Sequence, residues 1–246
     1  MKQNLLVLTK DYEWLVPSFL YLFEKYWGQE PLLISSDKPL SVSLPEWCEW
    51  LQVPAYAEGI WSWQFWFGNG LRSILAEIDE PVVALFLPDY WICKPVDSTA
   101  VNTLTEYILR CGNIIRVNLQ DDTCLKTYGK FRESYKGLEI IAATPGCIHC
   151  GLEAGTAMGV DLWDRHKLFD LLEPHWSPWA LETIGSQKMW RVYPDWVSVG
   201  TRPSLVWRAN VLSKFHPRLI DLRKLPEEDY EEVKSWLPSG YQVLRG

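Results

Sequence analysis

The sequence has no run of about 18 or more apolar residues, the length a membrane-spanning helix needs. Its opening Met-Lys-Gln-Asn leads straight into a strand-like segment. No transmembrane span and no signal peptide are expected, and the expected location is cytoplasmic. Positive charge is also short: 24 Lys and Arg against 31 Asp and Glu leave a net charge of −7. Nucleic acid is therefore not an expected partner, because phosphate backbones are gripped by clustered Lys and Arg. A Gly-x-Ser-x-Gly elbow, a P-loop and a His-Glu-x-x-His motif are missing, and "GNGLRS" lacks the third glycine of a dinucleotide fingerprint. Hydrolase and dehydrogenase readings find no support. No repeat, low-complexity tract or Gly/Ser linker divides the chain, which is expected to fold as one domain over 1–246.

What the chain does have is apolar material. Hydrophobic residues make up 48% of 246, enough for a substantial core. The 15 tryptophans supply broad apolar faces for that core or for stacking in a cleft. The segment "WCEWLQVPAYAEGIWSWQFWF" reads as core, acceptor platform or interface. The six cysteines are scattered and expected to stay reduced. In "CIHC", Cys147, His149 and Cys150 offer three ligands to zinc, but no second Cys-x-x-Cys supplies a fourth; the competing reading is a loop with half-buried thiols.

Apolar periodicity organises the rest. "NLLVLTKDYEW" reads as a strand and "LVPSFLYLFEKYW" as a helix. "PLLISSD" is a second strand that ends on Asp37. "GNGLRSILAEID" predicts a helix entered through Gly68, Asn69 and Gly70. "PVVALFL" is apolar on both faces and belongs mid-sheet. "DSTAVNTLTEYILRCG" predicts a helix capped at Asp97 or Ser98 and stopped by Gly112, followed by strands "NIIRVNL" and "LEIIAAT". "DLWDRHKLFDLLEP" predicts a helix opened by Asp161. "SPWALETIGSQKM" predicts another, with Ser177 as cap and Pro178 in its first turn. "DWVSVG" reads as a strand and "PEEDYEEVKSWL" as a short helix with a wet acidic face. The pattern is one α/β domain on a mostly parallel sheet flanked by helices.

In open α/β sheets ligands bind beyond the carboxyl ends of the strands. That rule selects Thr9 to Asp11, Ser35 to Asp37, Pro88 to Tyr90 and the segment after Thr144. The β-α-β start with an acid after the second strand, the Gly-Asn-Gly-x-Arg segment and the apolar strand ending in an acidic turn together resemble the GT-A-fold glycosyltransferases, a Rossmann-like nucleotide-diphospho-sugar transferase fold. "MGVDLWDRHKLF" and "SPWALETIGS" resemble that family's acceptor half. The likeness covers most of residues 4–190 and divides the chain into a nucleotide-binding half, 1–97, and an acceptor half with a C-terminal tail, 98–246.

The resemblance implies roles for particular residues. Thr9, Asp11 and Asp37 would approach the nucleoside, although turns favour Asp and Ser in any case. Asn69 and Arg72 would meet the phosphates of a nucleotide-sugar donor at a helix N-terminus. Where the family has Asp-x-Asp for Mg or Mn, this chain has Leu87-Pro88-Asp89 or Pro88-Asp89-Tyr90, so one carboxylate at most remains. Asp89 would hold a metal only with the donor's help. Asp97, His149, Glu153 and His216 are the further ligand candidates. Glu182 would act as base toward an acceptor hydroxyl, with charge complementarity at a helix start as the competing reading. Asp161, Trp163 and Trp179 are acceptor-side candidates, and core packing competes for both tryptophans.

Two readings stand. One is a glycosyltransferase that moves a sugar from a nucleotide-sugar to an unknown acceptor. The other is a non-catalytic protein of the same fold that binds a nucleotide, a glycan or a protein partner.

Overall fold

Strand β1 (Lys2–Val7) buries four consecutive residues at its carboxyl end and leads through a 3-10 turn, Lys10–Leu15, into helix α1 (Val16–Tyr26). Parallel pairing with β2 (Leu32–Ser36) follows, in the register Leu5 to Leu33. These elements belong to a computed structural model that describes residues 1–8, 10–53, 62–120, 129–144, 148–149, 152–153, 155–156, 158–212 and 219–245. Strand β3 (Cys48–Gln52) adds in parallel outside β2. After α2 (Ser62–Glu77) comes β4 (Val82–Phe86), buried at every position and parallel to β1. A tight turn then gives β5 (Tyr90–Ile92).

Helix α3 (Ser98–Cys111) begins as its sequence predicts: the Asp97 side chain accepts from Ala100 N–H at 3.0 Å, and Gly112 ends the helix at φ 65°. Strands β6 (Ile114–Asn118), β7 (Lys130–Tyr135) and β8 (Leu138–Ala142) follow, then a small hairpin of β9 (Ile148–His149) and β10 (Leu152–Glu153). Strand β11 (Asp161–Asp164) leads into α4 (Arg165–Leu171). Helix α5 spans 178–192 and contains a π-helical turn at Leu181–Gly185. The remainder is β12 (Val197–Arg202), β13 (Arg208–Asn210), β14 (Leu219–Asp221), α6 (Glu227–Ser235) and β15 (Gln242–Leu244).

The main sheet has the order β3-β2-β1-β4-β11-β6-β12-β8-β7. Strands β11 and β8 oppose the common direction of the other seven. Alternate side chains feed two cores. Leu6, Ala84 and Phe86 meet α1, α3 and α6 on one face. Leu5, Val83, Leu85 and Trp163 meet α2, α4 and α5 on the other. The expected α/β architecture is what the chain forms, and among the described residues no helix is long and apolar enough to cross a membrane.

Three local expectations are corrected. Asp161 does not open a helix: Asp161–Asp164 is a strand wedged antiparallel between β4 and β6, and Asp164 caps the helix by accepting from Lys167 N–H at 2.9 Å. Pairing on both sides satisfies the strand's backbone groups, and a helix start there would lose those bonds. Gly68, Asn69 and Gly70 do not begin α2, which starts at Ser62. Gly68 lies where a Cβ would be 2.2 Å from the Glu173 carbonyl oxygen, and its N–H donates to the Trp176 carbonyl at 2.9 Å. Its small size therefore serves a close backbone crossing. The acidic face of α6 is not wholly wet either. Asp229 is fully buried and accepts from Tyr26 at 2.5 Å, Tyr21 at 2.9 Å and Lys25 at 2.6 Å.

Candidate functional site

The carboxyl edge of β1, β4 and β6 gathers a row of polar side chains. Past β4 the chain makes a turn in which Tyr90 N–H donates to the Leu87 carbonyl at 3.1 Å and Trp91 Nε1 donates to the Pro88 carbonyl at 3.0 Å. The Asp89 carbonyl accepts from Val211 N–H at 2.9 Å. Backbone bonds on both sides thus hold the half-buried Asp89 at the rim. Strand β5 pairs antiparallel with β13, Tyr90 opposite Asn210 and Ile92 opposite Arg208. The Arg208 guanidinium lies over the Tyr90 ring, 3.9 Å from its centre, a cation–π contact.

Tyr90 reports on what surrounds it. Burial pushes its phenol well up from the usual value, Arg208 opposes the shift, and the charges of Asp89, Glu182 and Asp161 add to it. Three acids far apart in sequence thus act on one hydroxyl. Tyr12, in the turn after β1, is raised by burial and then by Asp89, Asp11 and Tyr241. Asp89 is the acid common to both tyrosines.

Glu182 lies in the second turn of α5, inside the π-helical stretch, so it is not a helix-start charge. Its Oε1 accepts from Met158 N–H at 2.9 Å. Side-chain hydroxyls bond the carbonyls of the widened turn. The Thr156 hydroxyl takes the Leu181 carbonyl, and Ser186 Oγ takes the Glu182 carbonyl at 2.7 Å. Thr156 N–H donates in turn to Ser186 Oγ at 3.0 Å. The loop feeding β11 is thereby bolted to the turn that carries Glu182.

Asp161, the first residue of β11, stands opposite Leu85 and Asn118 near the ends of β4 and β6. It is 0% exposed and forms an ion pair at 3.0 Å with Arg116, also 0% exposed. Arg116 donates further to Ser198 Oγ at 3.3 Å. A buried pair of this kind holds the sheet's polar seam, and Asp161 contributes to the rim as a fixed and neutralised charge. Trp163 is 0% exposed within the core under α5 and is not placed to stack on a ligand. Trp179, 43% exposed at the start of α5, presents an open aromatic surface.

The remaining expected residues scatter. Beyond β1 and β2, Asp11 is exposed and Asp37 half-buried, and Thr9 lies outside the described residues. Arg72 Nη1 donates to the Phe169 and Leu172 carbonyls, and its guanidinium stacks 4.0 Å from the Phe169 ring centre. These bonds cap the end of α4. Asn69, three residues earlier in α2, is half-buried inside the helix, away from any helix start. Cys147, Cys150 and His216 also lie outside the described residues. The residues that sequence reasoning missed are Arg208, Gln120, Asn118 and Arg116. The last two carried a signal, being polar side chains at alternate positions of the apolar strand "NIIRVNL".

A divalent ion such as Mg or Mn takes oxygen ligands, one or two carboxylates among them. The turn offers Asp89 alone, and among the described residues no three His, Cys, Asp or Glu come together. Arg208 already brings a positive charge against the next residue. This donor set does not fit a protein-built cation site, and no step below is routed through a metal.

No protein-family model matches the chain, and neither does any curated protein sequence. Among solved structures, the chain is similar to a CMP:2-keto-3-deoxy-manno-octonic acid synthetase complexed with CTP, at 11% identity and a TM-score of 0.44 over 82% of this chain and 92% of that one. S. aureus TarS 1-349 matches at 10% identity and a TM-score of 0.44, over 95% of this chain and 63% of that one. The same protein in complex with UDP gives 11% identity and a TM-score of 0.45, over 96% and 64%. The chain thus spans less than two thirds of TarS 1-349.

Proposed function

We propose that the protein is a glycosyltransferase that takes a nucleotide-activated sugar and passes it to an acceptor hydroxyl with inversion. The observation that carries this reading is geometric: Glu182 held by Met158 N–H in the loop feeding β11, Asp161 at the start of β11, and Asp89 with the Arg208–Tyr90 pair past β4 lie at the carboxyl edge of the strands, where α/β sheets place ligands. Glu182 takes the proton of the acceptor O–H. The acceptor oxygen forms its bond to the anomeric carbon as the bond from that carbon to the phosphate oxygen breaks. The electron pair leaves with the nucleotide diphosphate.

General-base action of this kind contributes about 10²- to 10⁴-fold, and positioning with charge stabilisation supplies the rest. Asp89 orients the donor at the rim. Tyr12, Asp11 and Asp37 lie toward the nucleoside, and Trp179 offers a face for the acceptor. A second reading, a binder without turnover, is favoured by the acidic turn's single carboxylate.

Melting temperatures measured with UDP-, GDP-, CMP- and dTDP-sugars test for binding, since a ligand selective for the native state raises stability by RT ln(1 + [L]/Kd). Release of free sugar or nucleotide in the same samples separates enzyme from binder. The transferase reading is overturned if Asp89→Ala and Glu182→Ala both leave donor binding and turnover unchanged.

A further inference from the structure

The polar row between Tyr90 and Asp161 contains hydrogen-bonding groups that the described residues do not use. Arg208 is held in one plane by the Tyr90 ring beneath it and by the bond from its Nε to Gln120 Oε1. Among the described residues it forms no ion pair, so no carboxylate there neutralises its charge, and it is only half-buried. Gln120 is itself fixed: its N–H donates to Asn118 Oδ1 at 3.1 Å, and its side chain fills the room left by Gly159, where a Cβ would lie 2.0 Å from Gln120 Nε2.

Asn118 is 1% exposed, and its Nδ2 has no hydrogen-bond partner. Asn210, paired with Tyr90 on the Arg208 strand, has a buried Oδ1 in the same condition. Leaving a buried amide unsatisfied is costly, a cost that a ligand's oxygen would remove at Asn118. The charges facing Arg208 through Tyr90 are Asp89, Glu182 and Asp161, and Asp161 is neutralised by Arg116.

We infer that Arg208 and Asn118 form a phosphate subsite, in which Arg208 supplies the positive charge that the missing second carboxylate and its cation would bring to a diphosphate beside Asp89. A planar guanidinium with fixed orientation suits bidentate contact with phosphate oxygens, and the Asn118 amide supplies a further donor. As the sugar–phosphate bond breaks, negative charge builds on the departing oxygen and Arg208 stabilises it. The assignment of that phosphate to a nucleotide-sugar rests on the glycosyl-transfer reading.

The test titrates the whole protein with inorganic pyrophosphate and with the four nucleotide-sugars, all in excess EDTA, by calorimetry and thermal melting. Wild-type protein is expected to bind pyrophosphate or a nucleotide-sugar without added cation. Arg208→Gln should lower that affinity roughly ten- to hundredfold, with Arg208→Lys in between. Should Arg208→Gln not fold, Arg208→Lys and Asn118→Ala carry the comparison on the same probes. Equal affinities in wild type and Arg208→Gln overturn the subsite, as does binding that needs Mn²⁺ and ignores Arg208, or no binding by wild type to any probe. If pyrophosphate binds through Arg208 and no nucleotide-sugar does, the subsite stands and the transferase reading falls. A nucleotide-sugar turned over equally by Arg208→Gln has the opposite meaning.

Discussion

The Glu182 carboxylate accepts the Met158 backbone N–H at 2.9 Å, across 24 residues of sequence. The bond fixes the carboxylate without consuming its charge. One oxygen is oriented by the loop that feeds β11, and the carboxylate keeps further acceptor capacity for an acceptor proton.

Glu182→Gln retains an oxygen for Met158 but no basic group. Turnover of the matching donor should fall about 10²- to 10⁴-fold, with the melting temperature close to wild type. Glu182→Ala should lose activity to a similar extent and also some stability, because the Met158 N–H is then left unpaired. Kinetics and melting curves of the two variants side by side separate the roles.

The Arg116–Asp161 pair is wholly buried. Asp161→Asn leaves an uncompensated guanidinium and should cost about 3–5 kcal/mol in urea unfolding. Replacing both, as Arg116→Met with Asp161→Leu, should recover much of that loss. A single variant as stable as wild type would show that Arg116 is not buried as described.

Gly68→Ala places a methyl group 2.2 Å from the Glu173 carbonyl oxygen. The crossing of α2 with the segment before α5 must then open. Overpacking costs about 1–3 kcal/mol, and a midpoint shift in denaturant without a change in slope is the expected readout. Gly112 in its left-handed position is a useful reference for a purely conformational penalty.

Burial, then the hydrogen bond and charge of Asp229, push the Tyr26 phenol from 10.0 up to about 12. The fold favours the neutral phenol, so this contribution is complete below pH 10 and is lost as pH rises toward about 12. Tyr26→Phe should flatten the alkaline decline in stability over that window. Part of the slope should persist through Tyr21, raised first by its own burial and then by Asp229.

Much of the frame was legible because it follows from local chemistry. Asp97, Gly112 and Ser177 act as the sequence predicts, through the side-chain and backbone bonds they make. Strand β4 announced itself by being apolar at every position. Legibility failed where tertiary pairing decided. "DLWD" carries two acids able to cap a helix, and β4 and β6 claim the first of them for the sheet. Arg72 resembled a phosphate ligand and is occupied by the end of α4. Arg208 had no visible pattern, because its place depends on a two-strand ribbon that joins residues more than a hundred positions apart in sequence.

The reversal of β11 has a further consequence. A strand that runs against its neighbours delivers its beginning, rather than its end, to the edge where they finish. Three connections of unrelated origin, those leaving β4 and β6 and the one entering β11, therefore open onto one border. Chemical preference can be rewritten there by exchanging short loops, while the paired backbone beneath them keeps its register.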